Sequence, residues 1–398
     1  MRDASAVITK KLYEEDAYRT EFDAVLVSVR RKEDSVLDVV LDQTCFFPEE
    51  GGQCPDRGEL GGLSVLDVQI EGNEIHHYLE APKDALPEAG AGIHGKIDWP
   101  FRFSNMQQHS GEHLFSGTVH RRYGFENVGF HLSPSEVTLD FDGVIPEQDI
   151  PELEREVNAA IWSNIPSVVR MTQREDREGL TYRSKIDLEG EVRIVTFPGI
   201  DSCACCAPHV ARTGEIGICK VVSMIRWKGG VRVSILCGKR ALEHFQKLHG
   251  IVVQTANDLS TSMENIFPQV VKLKNERQQL LARLKDASLK ELQYAAKEIA
   301  SDEEHALLFS SGAELPAVRK VVNVLCAEHP GYCGVFVGND EEGYSFVIGS
   351  RQLDCAGLGR QLQEILGSKG GGRPEMIQGS VARKREEIEG AIRSLTRP

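Results

Sequence analysis

The chain reads as an α+β protein opening with a β-barrel, and three observations predict that class. Strand-length apolar runs punctuated by Gly, Pro and Asp fill residues 1–98, helical and strand periods alternate to about residue 240, and the last hundred residues restart as short buried-type strands between helices. The segment between those last two regions is helical throughout. We therefore expect a β-barrel-like module with a Gly-rich motif (1–98), an α+β domain (99–240), a helical arm (241–300) and a C-terminal α/β domain (301–398). A chain of 398 residues has ample apolar material for several packed cores.

Composition narrows the classes. No stretch approaches the roughly 20 uninterrupted apolar residues of a membrane helix, and the first residues lack the apolar centre of a signal peptide. Ten cysteines, several clustered beside a histidine, read as thiols and ligands in a reducing cytoplasm rather than as disulfides. A formal charge of −14 argues against a nucleic-acid-binding surface everywhere, although a local basic face remains open.

In the first module, residues 22–30 and 36–42 have strand character. Between them and the next strands lies Asp42-Gln-Thr-Cys-Phe-Phe-Pro-Glu-Glu-Gly-Gly-Gln-Cys-Pro-Asp-Arg-Gly58. Gly51 and Gly52 permit a tight turn and close approach to a ligand, and Thr44 and Gln53 put short polar groups nearby; a hairpin loop explains the same letters.

The second domain opens on Asn105-Met-Gln-Gln-His-Ser-Gly-Glu-His-Leu-Phe-Ser-Gly117. A helix starting near residue 105 with Ser104 as its N-cap puts His109 and His113 on one face, since positions i and i+4 are neighbours. Gly111 weakens that helix by about 1 kcal/mol. Some ninety residues on, Asp201-Ser-Cys-Ala-Cys-Cys-Ala-Pro-His209 repeats the spacing in Cys205 and His209 and adds the thiols of Cys203 and Cys206. A Cys/His quartet of this type suits Zn2+. Two rival readings stand beside it. His109-Ser-Gly-Glu-His113 is also H-x-x-E-H, a metallopeptidase pattern in which Glu112 would activate water and a distant Glu would complete the ligands, but it leaves Cys205 and His209 unexplained. A non-catalytic binding module is the other.

Strands at 136–142, 168–172 and 192–197 and a helix over 150–162 follow, then a hairpin turning at Trp227-Lys-Gly-Gly230. In the arm, Ile266, Val270, Leu273, Leu280 and Leu284 recur at heptad-like spacing, interrupted by Arg277, and Pro268 starts or kinks the helix. Near the end, Gly370, Gly371 and Gly372 precede Arg373, exposing backbone N–H groups beside a guanidinium, with Arg383, Lys384, Arg385, Arg393 and Arg397 following; a flexible Gly-rich loop is the plain alternative.

Taken together, TxFFPExGGQxxDxG at residues 44–58, MQQHSGEH at 106–113 and CxxxHVxxTGEIG at 205–217 resemble, in order and spacing, the editing domain of alanyl-tRNA synthetases and, more closely, the AlaX proteins. GGGRPEMIQG at 370–379 resembles the terminal domain those synthetases share with DHH-type phosphoesterases. The resemblance covers essentially the whole chain and implies a long-form, stand-alone factor that hydrolyses mischarged tRNA(Ala) in trans, chiefly Ser-tRNA(Ala) and also Gly-tRNA(Ala). Carried over, it assigns one zinc ion to His109, His113, Cys205 and His209, with His109, His113 and Cys205 at the chemistry. Thr44, Gly51, Gly52 and Gln53 line the substrate pocket, with Thr44 as partner of a substrate hydroxyl. Gly370, Gly371, Gly372 and Arg373 contact tRNA, and the arm or C-terminal domain supplies a homodimer surface. The chain departs from the family's CGGTH in having Cys-Cys-Ala-Pro-His, so Cys203 or Cys206 would compete for the metal, and Cys45 beside Thr44 would reshape the pocket.

Overall fold

The computed structural model describes residues 8–83, 87–173, 180–184, 190–313 and 315–395, so Arg397 lies outside the described residues. Helices and strands mix throughout, as the α+β reading requires, and the chain divides into two compact units, Met1–Ile251 and Val252–Pro398.

In the first unit, six strands pair antiparallel in a closed ring. Glu21–Glu33 joins Val36–Leu41, then Glu74–Glu80, Leu63–Glu71, Gly58–Leu60 and Gly92–Ile97, which returns to Glu21–Glu33. Alternation places Phe22, Ala24 and Leu26 inside while Glu21, Asp23 and Val25 face out. Phe46, Phe47, Leu60, Val68 and Leu79 fill the interior with them. His77 is fully buried there, its Nε2 2.8 Å from Thr44 Oγ1 and its Nδ1 3.2 Å from the Val39 carbonyl. Burial lowers its pKa from 6.5 to about 4, only partly offset by the Val39 hydrogen bond. The unfolded chain therefore binds a proton here that the folded chain resists. Stability contributed by this site is present above pH 6.5 and is lost as pH falls toward about 4. Urea unfolding of His77→Gln across that window should show a shallower acid-side slope than the parent chain.

Beyond the ring runs the helix Trp99–Tyr123. Its start differs from the expected one. Asp98 caps it by accepting the Phe101 N–H at 3.1 Å, with Pro100 in the first turn, whereas Ser104 lies inside the helix, its hydroxyl accepting from Arg240 Nε at 3.0 Å. From Ser104 to Val119 every residue is buried, so no apolar stripe marks the helix in the sequence. Gly111 is there for packing. A Cβ at that position would come within 2.2 Å of Cys237 Sγ.

Two antiparallel sheets flank the helix. One has the order Cys219–Trp227, Gly230–Cys237, Val137–Phe141, Asn127–Leu132; the other is Val168–Thr172, Val192–Phe197, Asp201–Ala204. Lys228 and Gly229, both at positive φ (43° and 89°), make the two-residue turn of the first hairpin. The adjacent glutamines of MQQH fasten the helix to this sheet: Gln108 brackets Cys237, accepting its N–H at 2.7 Å and donating to its carbonyl at 2.8 Å, and Gln107 donates to the Glu215 carbonyl at 2.8 Å.

The expected arm is two helices, Gly238–Asp258 and Ile266–Glu298, separated near Ser260, whose φ is 50°. Pro268 sits in the first turn of the second, where its missing N–H costs nothing. Only the C-terminal end of that helix enters a core: Leu292 and Ala296 pack with Ala306, Leu308 and Val318, while Leu280 and Leu284 are exposed. The second unit carries a mixed five-stranded sheet, Ala306–Ser310, Cys333–Asn339, Gly343–Gly349, Met376–Val381, Lys369–Arg373, in which only the first pair is parallel. The glycine run is thus an exposed edge strand rather than a loop, because Gly370 and Gly372 let it lie against its partner: a Cβ on either would be 2.3 Å from the carbonyl oxygen of Gln378 or Met376. Among the described residues no helix is long and apolar enough to cross a membrane.

Candidate active site

Helical spacing brings His109 and His113 to one face with ring centroids 5.4 Å apart, and the segment leaving the strand Asp201–Ala204 lays Cys205 and His209 against them. One nitrogen or sulfur atom from each of the four lies within 4.8 Å of the others. Cys205 Sγ is 3.6 Å from His109 Nε2 and 3.2 Å from His209 Nε2. Neither Cys203 nor Cys206 is in the group, and no distant glutamate completes it among the described residues, so the group that could hold a metal ion is the one with Cys205 and His209 rather than the H-x-x-E-H set.

Each histidine is held from behind. His109 Nδ1 is 2.8 Å from Gln53 Oε1, and His209 Nδ1 is 3.0 Å from Ser110 Oγ. His113 Nδ1 lies 3.1 Å from Asp201 Oδ2, an ionic contact angled away from a straight hydrogen bond. Asp201 is fixed in turn by Arg183, whose Nε and NH2 donate to its two oxygens at 2.7 and 2.9 Å. Anchoring Nδ1 to an oxygen while leaving Nε2 toward a common point is how proteins orient metal-binding imidazoles.

The electrostatics agree with that chemistry. Burial opposes ionisation of the Cys205 thiol, but His109 and His209 outweigh it and hold the thiol well below its usual value. Burial lowers His209 to about 3, keeping its imidazole neutral. His113 moves the other way, burial being overcome by Asp201 and Cys205. Cys203 and Cys206 are pushed up by burial, Cys203 to about 11, and so stay protonated. A thiolate beside imidazoles, with second-layer oxygens already in place, fits a zinc ion by donor type and number.

Three of the quartet, His109, His113 and Cys205, line a cavity of about 650 Å³, walled also by Gly51, Val128, Phe130, Met171, Arg193 and Cys206 among others, with four glutamates, Glu14, Glu50, Glu112 and Glu191. This is within the usual range for a small-molecule site. Gly51 and Gly52 adopt φ of 61° and 84°, and a Cβ on Gly52 would lie 2.3 Å from the Phe130 carbonyl oxygen.

Residues 192–233 match the family described as the threonyl and alanyl tRNA synthetase second additional domain. The chain is 27% identical over 95% of its length, and 95% of the other's, to the alanyl-tRNA editing protein Aarsd1 of Mus musculus. It is 28% identical, over 96% of both chains, to the alanyl-tRNA editing protein AlaX-L of Pyrococcus horikoshii. Over nearly its whole length the chain is therefore similar to alanyl-tRNA editing proteins. An alanine–tRNA ligase of Ignicoccus hospitalis is 27% identical over 92% of this chain but only 40% of its own.

The residues singled out from the sequence fall in different places. His109, His113, Cys205 and His209 converge, and Gly51 walls the cavity, whereas Thr44, Gly52 and Gln53 are not among its described lining residues. Gln53 is fully buried behind His109, and Thr44 faces His77 inside the ring. Cys45 is buried in that ring core, its thiol raised to about 11 by burial. Gly370, Gly371, Gly372 and Arg373 lie on the edge strand of the second unit. Sequence reasoning missed Ser110, Arg183, Asp201, Arg193 and Phe130. Of these only Asp201 carried a signal, as the polar residue opening the cysteine segment.

Proposed function

We propose that the chain is a trans-acting deacylase that hydrolyses the ester of mischarged tRNA(Ala), chiefly Ser-tRNA(Ala) and also Gly-tRNA(Ala), with one zinc ion held by His109, His113, Cys205 and His209. The observation that carries this reading is the Cys/His quartet, three of whose members line a cavity of about 650 Å³, in a chain aligned almost end to end with proteins named for alanyl-tRNA editing. The need is physical. A pocket built for alanine rejects glycine by only about 1–3 kcal/mol and excludes a serine hydroxyl poorly, so a second site must remove the errors.

Zinc bound here would supply Lewis acidity toward the ester carbonyl and would order water near it. The protein's own residues set the geometry. Gln53, Asp201 and Ser110 hold the three imidazoles in orientation, and Arg183 keeps Asp201 charged and in place, its carboxyl lowered to about 2 by His113 and Arg183 against the opposing effect of burial. Phe130, packed on His109 with centroids 4.6 Å apart, excludes water from that side of the ring. In this reading Gln53 acts through His109, and Thr44 acts through the buried hydrogen bond that shapes the ring beside the Gly51–Gly52 turn. Gly370, Gly371, Gly372 and Arg373, all exposed, would contact the tRNA backbone. The ten free cysteines suit work in the reducing cytoplasm, where charged tRNA is found.

The test is metal removal. Dialysis against a strong chelator should strip about one zinc per chain and abolish Ser-tRNA(Ala) hydrolysis, and stoichiometric zinc should restore it. Full activity in a zinc-free sample would contradict the proposed site.

A further inference from the structure

The cavity holds more negative charge than a site for the 3′ end of a polyanion would be expected to carry. Glu14, Glu50, Glu112 and Glu191 line it against the cations Lys11 and Arg193. Three of the four carboxylates have evident duties. Glu14 pairs with Lys11 at 3.5 Å, Glu112 accepts from Ser116 and Asn127 at 2.7 and 2.5 Å, and Glu191 accepts from Gln173 at 3.0 Å. Glu50 differs. The Cys206 thiol meets its carboxylate, but its Oε2, shielded from solvent, has no hydrogen-bond partner among the described residues, a costly arrangement for a carboxylate unless something else fills the place.

Its position is also fixed relative to the quartet. Glu50 and Gln53 close a tight turn over Gly51 and Gly52, the Glu50 N–H donating to the Gln53 carbonyl at 3.3 Å and the Gln53 N–H to the Glu50 carbonyl at 3.0 Å. Gln53 grips His109 at one end of that turn, while Gly51 approaches Cys206, next in the chain to Cys205, so that a Cβ there would be 3.6 Å from the Cys206 sulfur. One tight turn therefore carries both the amide that anchors a quartet histidine and a carboxylate with an oxygen that no described residue partners.

An aminoacyl ester carries one cation, its α-ammonium, a single carbon away from the ester carbonyl. Resting on the deacylase reading above, we propose that Glu50 is the acceptor for that α-ammonium, so that the site takes esters of unblocked amino acids and discriminates against acyl esters lacking the charge. Holding the ammonium fixes the ester carbon with respect to the quartet, which makes Glu50 both a specificity determinant and a positioning group.

The experiment compares Ser-tRNA(Ala) with the hydroxyacyl ester made from it by deamination, in which a hydroxyl replaces the ammonium at nearly equal size. Both are given to the zinc-loaded full chain and to its Glu50→Gln variant. The parent should prefer the amine substrate, and Glu50→Gln should lower kcat/KM on that substrate by roughly ten- to a hundred-fold, leave the hydroxyacyl ester almost unaffected and retain zinc. An unchanged preference in Glu50→Gln would overturn the proposal. A second readout does not depend on hydrolysis: binding of 3′-(L-seryl)amino-3′-deoxyadenosine, a non-hydrolysable amide, against its hydroxyacyl counterpart. Tighter binding of the amine form that disappears in Glu50→Gln supports Glu50 even if the deacylase reading fails, and equal binding of both forms by the parent overturns it.

Discussion

Replacing Cys205 with alanine is expected to abolish zinc retention and deacylation together. Cys205 is the only thiol in the quartet and the group whose ionisation the surrounding imidazoles favour. Without it, three imidazoles remain around a 2+ charge in a buried site, with the neutralising thiolate gone. Loss of activity should be roughly a hundred-fold or more, beyond the effect typical of removing a second-layer partner. The variants Cys203→Ala and Cys206→Ala are the internal controls, since both thiols are outside the group and held protonated. Zinc content by elemental analysis and single-turnover hydrolysis, measured on the same preparations, check this. A Cys205→Ala protein that keeps one zinc and full activity would remove Cys205 from the site.

The second large effect is on stability. Arg102, near the start of the helix Trp99–Tyr123, is completely buried, as is nearly all of Asp56, from the glycine motif. Arg102 Nε donates to both Asp56 oxygens at 2.9 Å and NH2 makes a further short contact with Oδ2. Its remaining donors satisfy the Cys45 carbonyl at 2.6 Å and the Ala17 carbonyl at 3.1 Å, while Asp56 also accepts the Phe47 N–H at 2.7 Å. Removing one partner leaves an uncompensated charge in the interior, so Asp56→Ala or Arg102→Leu should each cost about 3–5 kcal/mol. The double variant should cost less than the sum of the two, because it leaves no lone charge. Urea midpoints with unchanged slope are the readout; single-variant costs below about 1 kcal/mol would show that the pair does not fasten the ring motif to the helix.

How much of this was legible depended on sequence distance. His109 and His113 on one helix, and Cys205 and His209 four apart, are local patterns, and local geometry sufficed to pair them. Gln53 with His109 is not local: 56 residues separate them, and only the fold of the Gly51–Gly52 turn brings the amide to the ring. Thr44 and Gln53 both flank the glycine turn and both are buried, each against a partner distant in sequence, Thr44 on His77 and Gln53 on His109, which no local pattern announces. The helix starts ahead of Ser104 because the wholly buried run Ser104–Val119 has no polar face to show its period, leaving Asp98 and Pro100 to mark the start. The triple glycine leaves a backbone cradle and a flexible loop both open in the sequence, because the close approach that makes it a strand belongs to its partner, Met376–Val381. The break between the two arm helices falls in Asn257-Asp-Leu-Ser-Thr-Ser262, a cluster of turn and capping residues that a single-arm reading passes over.

The central claim is that the quartet and its cavity remove the wrong amino acid from tRNA(Ala). Purified protein, its zinc content known, should be offered matched Ser-, Gly- and Ala-tRNA(Ala), with ester loss followed in time. Rapid loss of serine, measurable loss of glycine and retention of alanine are the predicted result. No hydrolysis of any of the three by a folded, zinc-loaded protein would contradict the account and return the chain to the class of tRNA-binding modules.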